Sequence, residues 1–142
     1  MLTYFTDGSC EPNPGAGGYA VIKDMKPYIL GSDPDSTNIR MEGMALIAAL
    51  TDAGSQECEI HTDSEFWINV ITKWAPGWEK NGWKKKGGDI KNLDIVQQLL
   101  PLHRASNAKL IWVRGHNKNA GNELADEWAN KARERAEEFV KL

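Results

Sequence analysis

The stretch MLTYFTDGSCEPNPGAGGYAVI, residues Met1–Ile22, carries the pattern that decides the fold. A short apolar run, Leu2–Phe5, leads directly to Asp7 and is followed by glycines, prolines and small polar residues. Aromatic side chains favour extended structure, so we predict one strand over Leu2–Thr6 and a second over Gly17–Lys23. A first strand that ends on a carboxylate, with a rigid turn of small residues behind it, indicates that this acid is delivered to the edge of a sheet.

The remaining elements follow from hydrophobic periodicity. A third short strand, Tyr28–Leu30, completes an antiparallel meander, and the turn-rich residues Asp33–Ser36 follow it. Further along the chain we predict helices over Asn38–Ala53, Glu65–Trp74, Leu93–Leu100 and Asn122–Val140, and strands over Glu57–Thr62 and Lys109–Arg114. The late alternation of strand and helix requires parallel pairing beside the early hairpins. The predicted fold is α/β, with a mixed five-stranded sheet and helices on both faces.

Length and composition are those of one globular domain over residues 1–142. No secretory signal is recognisable, and the longest apolar run, Met44–Leu50, is too short to cross a bilayer. The two cysteines, Cys10 and Cys58, do not make a disulfide framework and are expected as small buried side chains. We therefore expect a cytoplasmic protein.

Charge is segregated along the chain. The segment Lys73–Lys91, here called the lysine-rich segment, holds six basic and two acidic residues, a local charge of +4, so that the remainder carries −7 of the total −3. Its glycines, its proline and its lysines predict a protruding arm over Ala75–Asn92. A basic stripe on an acidic body suggests a phosphate backbone on one side and clustered carboxylates elsewhere.

Four acids lie where four predicted elements begin or end. Asp7 and Asp63 follow the first and fourth strands, Glu42 lies in the first turns of a largely apolar helix, and Asp126 lies one turn into the last helix. Taken singly, an aspartate in a turn or at a helix start has an ordinary structural explanation. Glu42 is hard to explain that way because its neighbours are apolar, and the four together favour one shared site.

Four converging carboxylates need a cation to offset their repulsion. No cluster of cysteine or histidine accompanies them, so the oxygen-only ligand set predicts Mg²⁺, with Mn²⁺ as a substitute. Two such ions, about 3.5–4 Å apart, are the usual arrangement for phosphodiester hydrolysis, in which one generates hydroxide and the other stabilises the leaving 3′ oxygen.

The chain resembles the type 1 ribonucleases H, in their bacterial form, over nearly its whole length. The similar stretches are TDGSCEPNPGAGGYA (Thr6–Ala20), TNIRMEGMALIAAL (Thr37–Leu50), TDSEFW (Thr62–Trp67), WAPGWEKNGWKKKGGDIKN (Trp74–Asn92) and VRGHNKNAGNELADEWA (Val113–Ala129). The resemblance implies the ribonuclease H-like fold and an endonuclease that hydrolyses RNA in RNA–DNA hybrids, leaving 5′-phosphate and 3′-hydroxyl ends. It places Asp7, Glu42, Asp63 and Asp126 on the metal ligands, with Asp7 between both ions.

The resemblance also suggests how the substrate is held. Cys10, Asn13 and Asn38 match positions near the RNA strand, where the glycine-rich turn lets backbone approach a minor groove and 2′-hydroxyls are sensed. Thr37 and Arg40 match the region that holds a DNA phosphate. His116 matches a mobile histidine, ten residues before Asp126, that assists proton transfer or product release; as a bare sequence feature it is an ordinary exposed loop histidine.

The lysine-rich segment resembles the basic protrusion of bacterial members, and we expect it to bind the hybrid in place of a separate binding domain. Trp78 and Trp83 lie among its lysines and either pack the arm or stack on sugars of the DNA strand, whereas Trp74 is expected in the core. Two positions depart from the family pattern: Glu65 replaces a familiar glutamine and adds an acid near the metals, and Ile39 replaces an asparagine. Phosphate contacts are expected from Lys84, Lys85 and Lys86.

Three other functions remain open on the sequence alone. A non-catalytic hybrid-binding module would not need the four acids and His116, all of which are present. A DNA-directed nuclease or integrase relative shares the sheet and the acids, but the GHNKNAGN loop and the tryptophan–lysine segment favour the hybrid enzyme. A small-molecule protein of the flavodoxin type has no use for converging acids. The protein is expected to be a monomer without membrane contact.

Overall fold

The computed structural model describes residues 2–115 and 119–140 and contains one five-stranded sheet. The spatial order of the strands is β3-β2-β1-β4-β5. Their bounds are β1 Leu2–Cys10, β2 Gly15–Lys23, β3 Lys26–Ser36, β4 Glu57–Thr62 and β5 Asn107–Trp112. β1, β2 and β3 pair antiparallel, whereas β1–β4 and β4–β5 pair parallel. The predicted mixed sheet is therefore confirmed.

The two ladders on β1 end at different points. The parallel pairing with β4 stops at Thr6↔Thr62, while the antiparallel pairing with β2 continues to Cys10↔Gly17. β1 thus runs four residues past the point where β4 leaves it. The gap that opens there contains Asp7, which lies within β1, and Asp63, which directly follows β4.

Helices cover both faces of the sheet. Their bounds are α1 Asn38–Ala53, α2 Glu65–Asn69, α3 Ala75–Lys80, α4 Leu93–Arg104 and α5 Ala120–Val140. Tyr4 of β1 is buried in one cluster with residues of α1 and α4. The ring of Phe5, the next residue of β1, lies against Gly121 of α5. Because successive strand residues face opposite sides, α1 and α4 cover one face and α5 the other. No helix in the described part of the chain is long and apolar enough to cross a membrane.

A wide π-helical turn, Val70–Trp74, joins α2 to α3 where one continuous helix was predicted. The Ala75 N–H reaches back five residues to the Val70 carbonyl. Pro76 follows, and because proline has no N–H and its ring crowds the carbonyl four residues earlier, a regular α-helix is interrupted there. Trp74 is turned outward and is 43 % exposed, so the expectation that it belongs to the core is wrong.

Several element boundaries differ from the predicted ones. β1 continues to Cys10, and β2 begins at Gly15. β3 extends through the predicted turn at Asp33–Ser36: the Asp35 N–H does bond to the Asp33 side chain, but the strand bulges and stays paired to β2. α4 continues past Pro101, whose carbonyl still accepts the Ala105 N–H. β5 begins and ends two residues earlier than predicted, and α5 begins at Ala120.

The lysine-rich segment is more ordered than an arm of loops. Its first part, Ala75–Lys80, is the helix α3, with Ala75 buried. Trp78 and Trp83 are partly buried against the main core, and Ile90 is part of it. The lysines Lys84, Lys85 and Lys86 are exposed.

Candidate active site

Asp7 and Asp63 lie side by side where β1 and β4 separate. Asp7 is the first β1 residue beyond the shared ladder and is only 3 % exposed. Asp63 directly follows β4, and its carbonyl accepts the indole N–H of Trp112 at 3.3 Å. The Ser64 side chain caps α2 by accepting the Trp67 N–H, as its sequence position predicts.

Glu42 reaches the same point from α1 because Gly8 allows the helix to approach β1. A Cβ on Gly8 would overlap the backbone of Met41 and Glu42, so no other residue fits there without moving α1. The Gly8 N–H donates to Asp7 Oδ1 at 2.9 Å and to Glu42 Oε1 at 3.0 Å. One backbone amide therefore holds the two acids together.

The three acids form a cation-ready cluster. Oxygens of Asp7, Glu42 and Asp63 all lie within 4.8 Å of one another. Glu42 Oε2 is buried and has no hydrogen-bond partner among the described residues. An oxygen-only donor set with a buried, unsatisfied carboxylate oxygen fits a hard divalent cation such as Mg²⁺ or Mn²⁺.

The pKa values of the cluster show the electrostatic cost of this arrangement. Burial, and the charges of Asp63 and Asp126, raise the pKa of Asp7 to about 7. Burial, the hydrogen bond with Asp7 and the neighbouring charges raise the pKa of Glu42 well above its usual value. Without a cation the cluster therefore retains a proton near neutral pH, and a bound cation would displace it.

Asp126 and His116 are the other two predicted catalytic residues. Asp126 is half-buried in α5, close enough for its charge to raise the pKa of Asp7, but it is not one of the three acids within 4.8 Å. His116 lies outside the described residues. Asp7, Glu42 and Asp63 are thus brought together, and Asp126 lies beside them.

The residues predicted to face RNA surround the start of α1. Asn13 Oδ1 accepts the Asn38 N–H at 3.2 Å, and both residues are exposed. Thr37 caps α1 by accepting the Arg40 N–H. The Cys10 thiol instead points inward, towards the carbonyls of Pro12, Gly15 and Ser36. The residue therefore turns its backbone, and not its side chain, towards the protein surface.

Arg40 is paired within the protein, whereas Glu65 is exposed. Both terminal nitrogens of Arg40 are bonded to the Asp94 carboxylate of α4. Glu65 is the exposed first residue of α2. The pairing of Arg40 escapes sequence reasoning because Asp94 is 54 residues away along the chain.

A further side-chain network near the site was also missed. Ser9 Oγ donates to Asn130 Oδ1 at 2.6 Å, and Arg133 Nη1 donates to Ser9 Oγ at 3.0 Å. These contacts fasten the end of β1 to α5, which approaches closely because Gly18 has no Cβ. The only sequence feature that indicated this network was the three-residue spacing of Asn130 and Arg133, which places them on one face of the helix.

Several known proteins are similar to this chain in sequence or in structure. Residues 1–134 match the family model described as RNase H. The Ribonuclease H of Francisella tularensis subsp. novicida (strain U112) is 45% identical over 134 residues, which are 90% of this chain and 88% of that protein. The Ribonuclease H of Granulibacter bethesdensis is 42% identical over 139 residues, 94% of this chain and 92% of that protein. The crystal structure of LC9-RNase H1, described as a type 1 RNase H with the type 2 active-site motif, superposes with a TM-score of 0.82 at 27% identity, covering 95% of this chain and 72% of that one.

Proposed function

The chain belongs to the RNase H family and is a ribonuclease that acts on RNA–DNA hybrids, and from that premise we propose an endonuclease that cuts the RNA strand with two divalent metal ions. The products of this reaction would carry 5′-phosphate and 3′-hydroxyl ends. Mg²⁺ is the proposed ion, with Mn²⁺ as a substitute. The observation that best supports the proposal is the buried carboxylate cluster, in which Glu42 Oε2 has no donor among the described residues.

Each acid has a proposed role as a ligand. Asp7, the most buried and the most central, would contact both ions; Glu42, Asp63 and Asp126 would complete the two sites. When bound, the ions supply a nucleophilic hydroxide and stabilise the leaving 3′ oxygen. The backbone amide of Gly8 keeps Asp7 and Glu42 in place, and His116 would move a proton or aid product release.

The hybrid would lie across the turn after β1 and the start of α1. Cys10, through its backbone, Asn13 and Asn38 would meet the RNA minor groove, where the 2′-hydroxyl distinguishes RNA from DNA. Thr37 and Arg40 would face a phosphate of the DNA strand. Glu65, at the start of α2, would lie at the margin of this surface.

The lysine-rich segment would contact further phosphates. Lys84, Lys85 and Lys86 are exposed, while Trp78 and Trp83 pack the segment onto the core and leave only part of each indole for sugar contacts. Replacing the three lysines by alanine should raise KM and reduce the log–log salt slope by about 0.9 for each lost phosphate contact. A fall in kcat at unchanged KM would contradict this role.

We further propose a monomer whose residues 1–142 form one catalytic domain and which works in the cytoplasm. Both cysteines are free and buried, as suits a reducing compartment.

The deciding experiment offers the purified protein a labelled RNA–DNA hybrid, single-stranded RNA, duplex RNA and duplex DNA, each with Mg²⁺ and with EDTA. Cleavage of the hybrid alone, and only with Mg²⁺, is expected, and end-labelling of the products should show 5′-phosphates. Cleavage of duplex DNA would favour a DNA-directed nuclease, and binding of the hybrid without cleavage would favour a non-catalytic module.

A further inference from the structure

The strand β1 and the helix α5 meet at successive levels along their length. At the first level, the ring of Phe5 fills the space where a Cβ on Gly121 would lie. At the last level, Ser9 Oγ donates a hydrogen bond to Asn130 Oδ1 at 2.6 Å. The two contacts show that β1 and α5 run in the same direction.

Asp7 and Asp126 occupy the level between these two contacts. Asp7 lies two residues before Ser9 on β1, and Asp126 lies four residues before Asn130 on α5. Residues two apart on a strand share a face at a separation of about 6.8 Å, and residues four apart on a helix do so at about 6 Å. The matching spacings place the two acids opposite each other, in agreement with the effect of the Asp126 charge, which raises the pKa of Asp7.

Arg133, three residues beyond Asn130, completes the contact between Ser9 and Asn130. Its Nη1 donates to Ser9 Oγ at 3.0 Å and to Asn130 Oδ1 at 3.2 Å, so each of the three side chains contacts the other two. Both hydrogens of Nη1 are used in this way. The Arg133 side chain is only 19% exposed, so water competes little for these bonds.

The same part of α5 is also fixed to the other two antiparallel strands. On β2, a Cβ on Gly18 would overlap backbone atoms of Ala129 and Arg133. On β3, Ser32 Oγ donates to the Ala132 carbonyl at 2.6 Å. The helix is therefore held against three strands directly beyond the level of the acids.

The middle level brings two carboxylates together, and these repel each other in the absence of a cation. We infer that Ser9, Asn130 and Arg133 are positioning residues for the proposed metal site: they hold α5 against β1, so that Asp126 stays opposite Asp7 while no cation offsets their repulsion. This inference rests on the proposed function, in which both acids are metal ligands.

Two other roles for Arg133 predict different results. If only its charge matters, removing it favours Mg²⁺ binding, because a nearby cation repels Mg²⁺, and Ser9→Ala has no effect. If Arg133 binds a phosphate of the RNA, removing it raises the Kd for the hybrid in EDTA and reduces the log–log salt slope by about 0.9. If the three residues position Asp126, Mg²⁺ binding becomes weaker in both variants.

The test measures the Mg²⁺ concentration that gives half-maximal kcat, and the rise in melting temperature that Mg²⁺ causes in the free protein. We expect Ser9→Ala and Arg133→Met each to raise the half-maximal concentration about tenfold, the low end of what is lost with a group that orients a metal ligand, and to reduce the rise in melting temperature. The Kd for the hybrid in EDTA should stay at the parental value. The double variant should differ little from either single one, because both break the same contact.

Three further variants serve as controls. Ser9→Thr keeps the hydroxyl and should respond to Mg²⁺ much as the parent does. Arg135→Met removes the same charge from an exposed residue of the same helix, and should leave the half-maximal Mg²⁺ concentration unchanged or slightly lower. In an Asp126→Asn background the positioned ligand is lost, so adding Arg133→Met should not reduce the Mg²⁺-induced rise in melting temperature any further.

A half-maximal Mg²⁺ concentration for Ser9→Ala at or below the parental value would overturn the inference alone. So would a lower melting temperature of the metal-free variants with a parental response to Mg²⁺, since that result means a purely structural role. Absence of Mg²⁺-dependent hybrid cleavage by the parent would overturn the proposed function with it.

Discussion

The two ends of α1 hold acids in opposite states. Near its start, Glu42 meets Asp7 of β1 in a cluster of carboxylates, where Glu42 Oε2 has no donor among the described residues and both pKa values are raised. Near its end, Asp52 accepts hydrogen bonds from Tyr4, Lys23 and Tyr28, and these donors lower its pKa. The same helix and the same strand, β1, contribute to both places.

The difference separates structural acids from functional ones. Asp52 is surrounded by donors and a cation, so its charge stabilises the fold in the absence of any ligand. Asp7 and Glu42 share one amide donor, the N–H of Gly8, and their pKa values are raised, so a bound cation would stabilise their charges. Burial and the supply of donors both distinguish the two places: burial raises the pKa of Asp7 and Glu42, whereas three donors lower the pKa of Asp52.

Removing the central acid should have the largest effect. Asp7→Asn keeps the shape but removes one negative charge and a ligand to both proposed ions, so cleavage of the hybrid should fall by several orders of magnitude. Hybrid binding should persist, and Mg²⁺ should raise the melting temperature of the parent more than that of the variant. Retention of more than about a tenth of parental kcat, under roughly 1.4 kcal/mol in barrier height, would show that Asp7 is not such a ligand.

In the absence of metal ions, Asp7 and Asp52 should have opposite effects on how the free energy of unfolding depends on pH. The folded-state pKa of Asp7 lies above its unfolded value, so its contribution is complete at low pH and is lost as pH rises towards 7. The lowered pKa of Asp52 gives the reverse: its contribution is lost as pH falls into the acid range.

Urea unfolding in EDTA should therefore show stability falling between about pH 5 and pH 7, by up to about 1.4 kcal/mol per pH unit for each extra proton held by the folded state. Asp7→Asn should flatten this fall, and saturating Mg²⁺ should reverse it. A metal-free parent that gains stability over this interval would contradict the assignment.

Asp52 should contribute to the free energy of unfolding and not to the rate of hybrid cleavage. Asp52→Ala leaves the fully buried Tyr4 hydroxyl without its acceptor, at an expected cost of about 1–3 kcal/mol in the free energy of unfolding. The kcat for hybrid cleavage at a temperature below the transition should stay at the parental value. Thr51→Ala is the neighbouring control, since its exposed hydroxyl bonds only within α1; a drop in kcat for Asp52→Ala alone would link this end of the helix to the active site.

Glu65 is the weakest of the proposed contributors, because it is exposed and lies outside the three-acid cluster. Glu65→Gln should tighten hybrid binding slightly at low salt by removing one repulsion, by about 1 kcal/mol or less, and shift the Mg²⁺ optimum of cleavage. Identical metal titrations and affinities for parent and variant would show that this side chain points away from the ions and the substrate.

The sequence predicted the five strands and the meeting of Asp7, Glu42 and Asp63 from local signals. Asp7 and Asp63 directly follow two predicted strands, and parallel neighbours end at the same edge of a sheet, so their meeting followed from two short stretches and a topology rule. Glu42 stood out because its helix is otherwise apolar. Ser64 was recognised as an N-cap from its type and position.

Features that depend on long-range partners were not predictable. The pairing of Arg40 with Asp94 was not predicted because Asp94 is 54 residues away along the chain. Cys10 was expected to be buried, and it is, but nothing local shows that its thiol turns towards Ser36 of β3. Trp74 looked like a core residue because hydrophobicity does not reveal the direction of a side chain in a helix that changes its pitch.

That change of pitch has a consequence for chain length. The π turn at Val70–Trp74 holds one residue more than an α-helical turn, so α2 and α3 are out of phase by about 100°. Deleting one residue there would rotate Trp78 and the rest of α3, up to Lys80, around the helix axis, while β1 and β4 kept their acids in place. A single insertion or deletion in this turn can thus change the direction in which Trp78 points independently of the carboxylates.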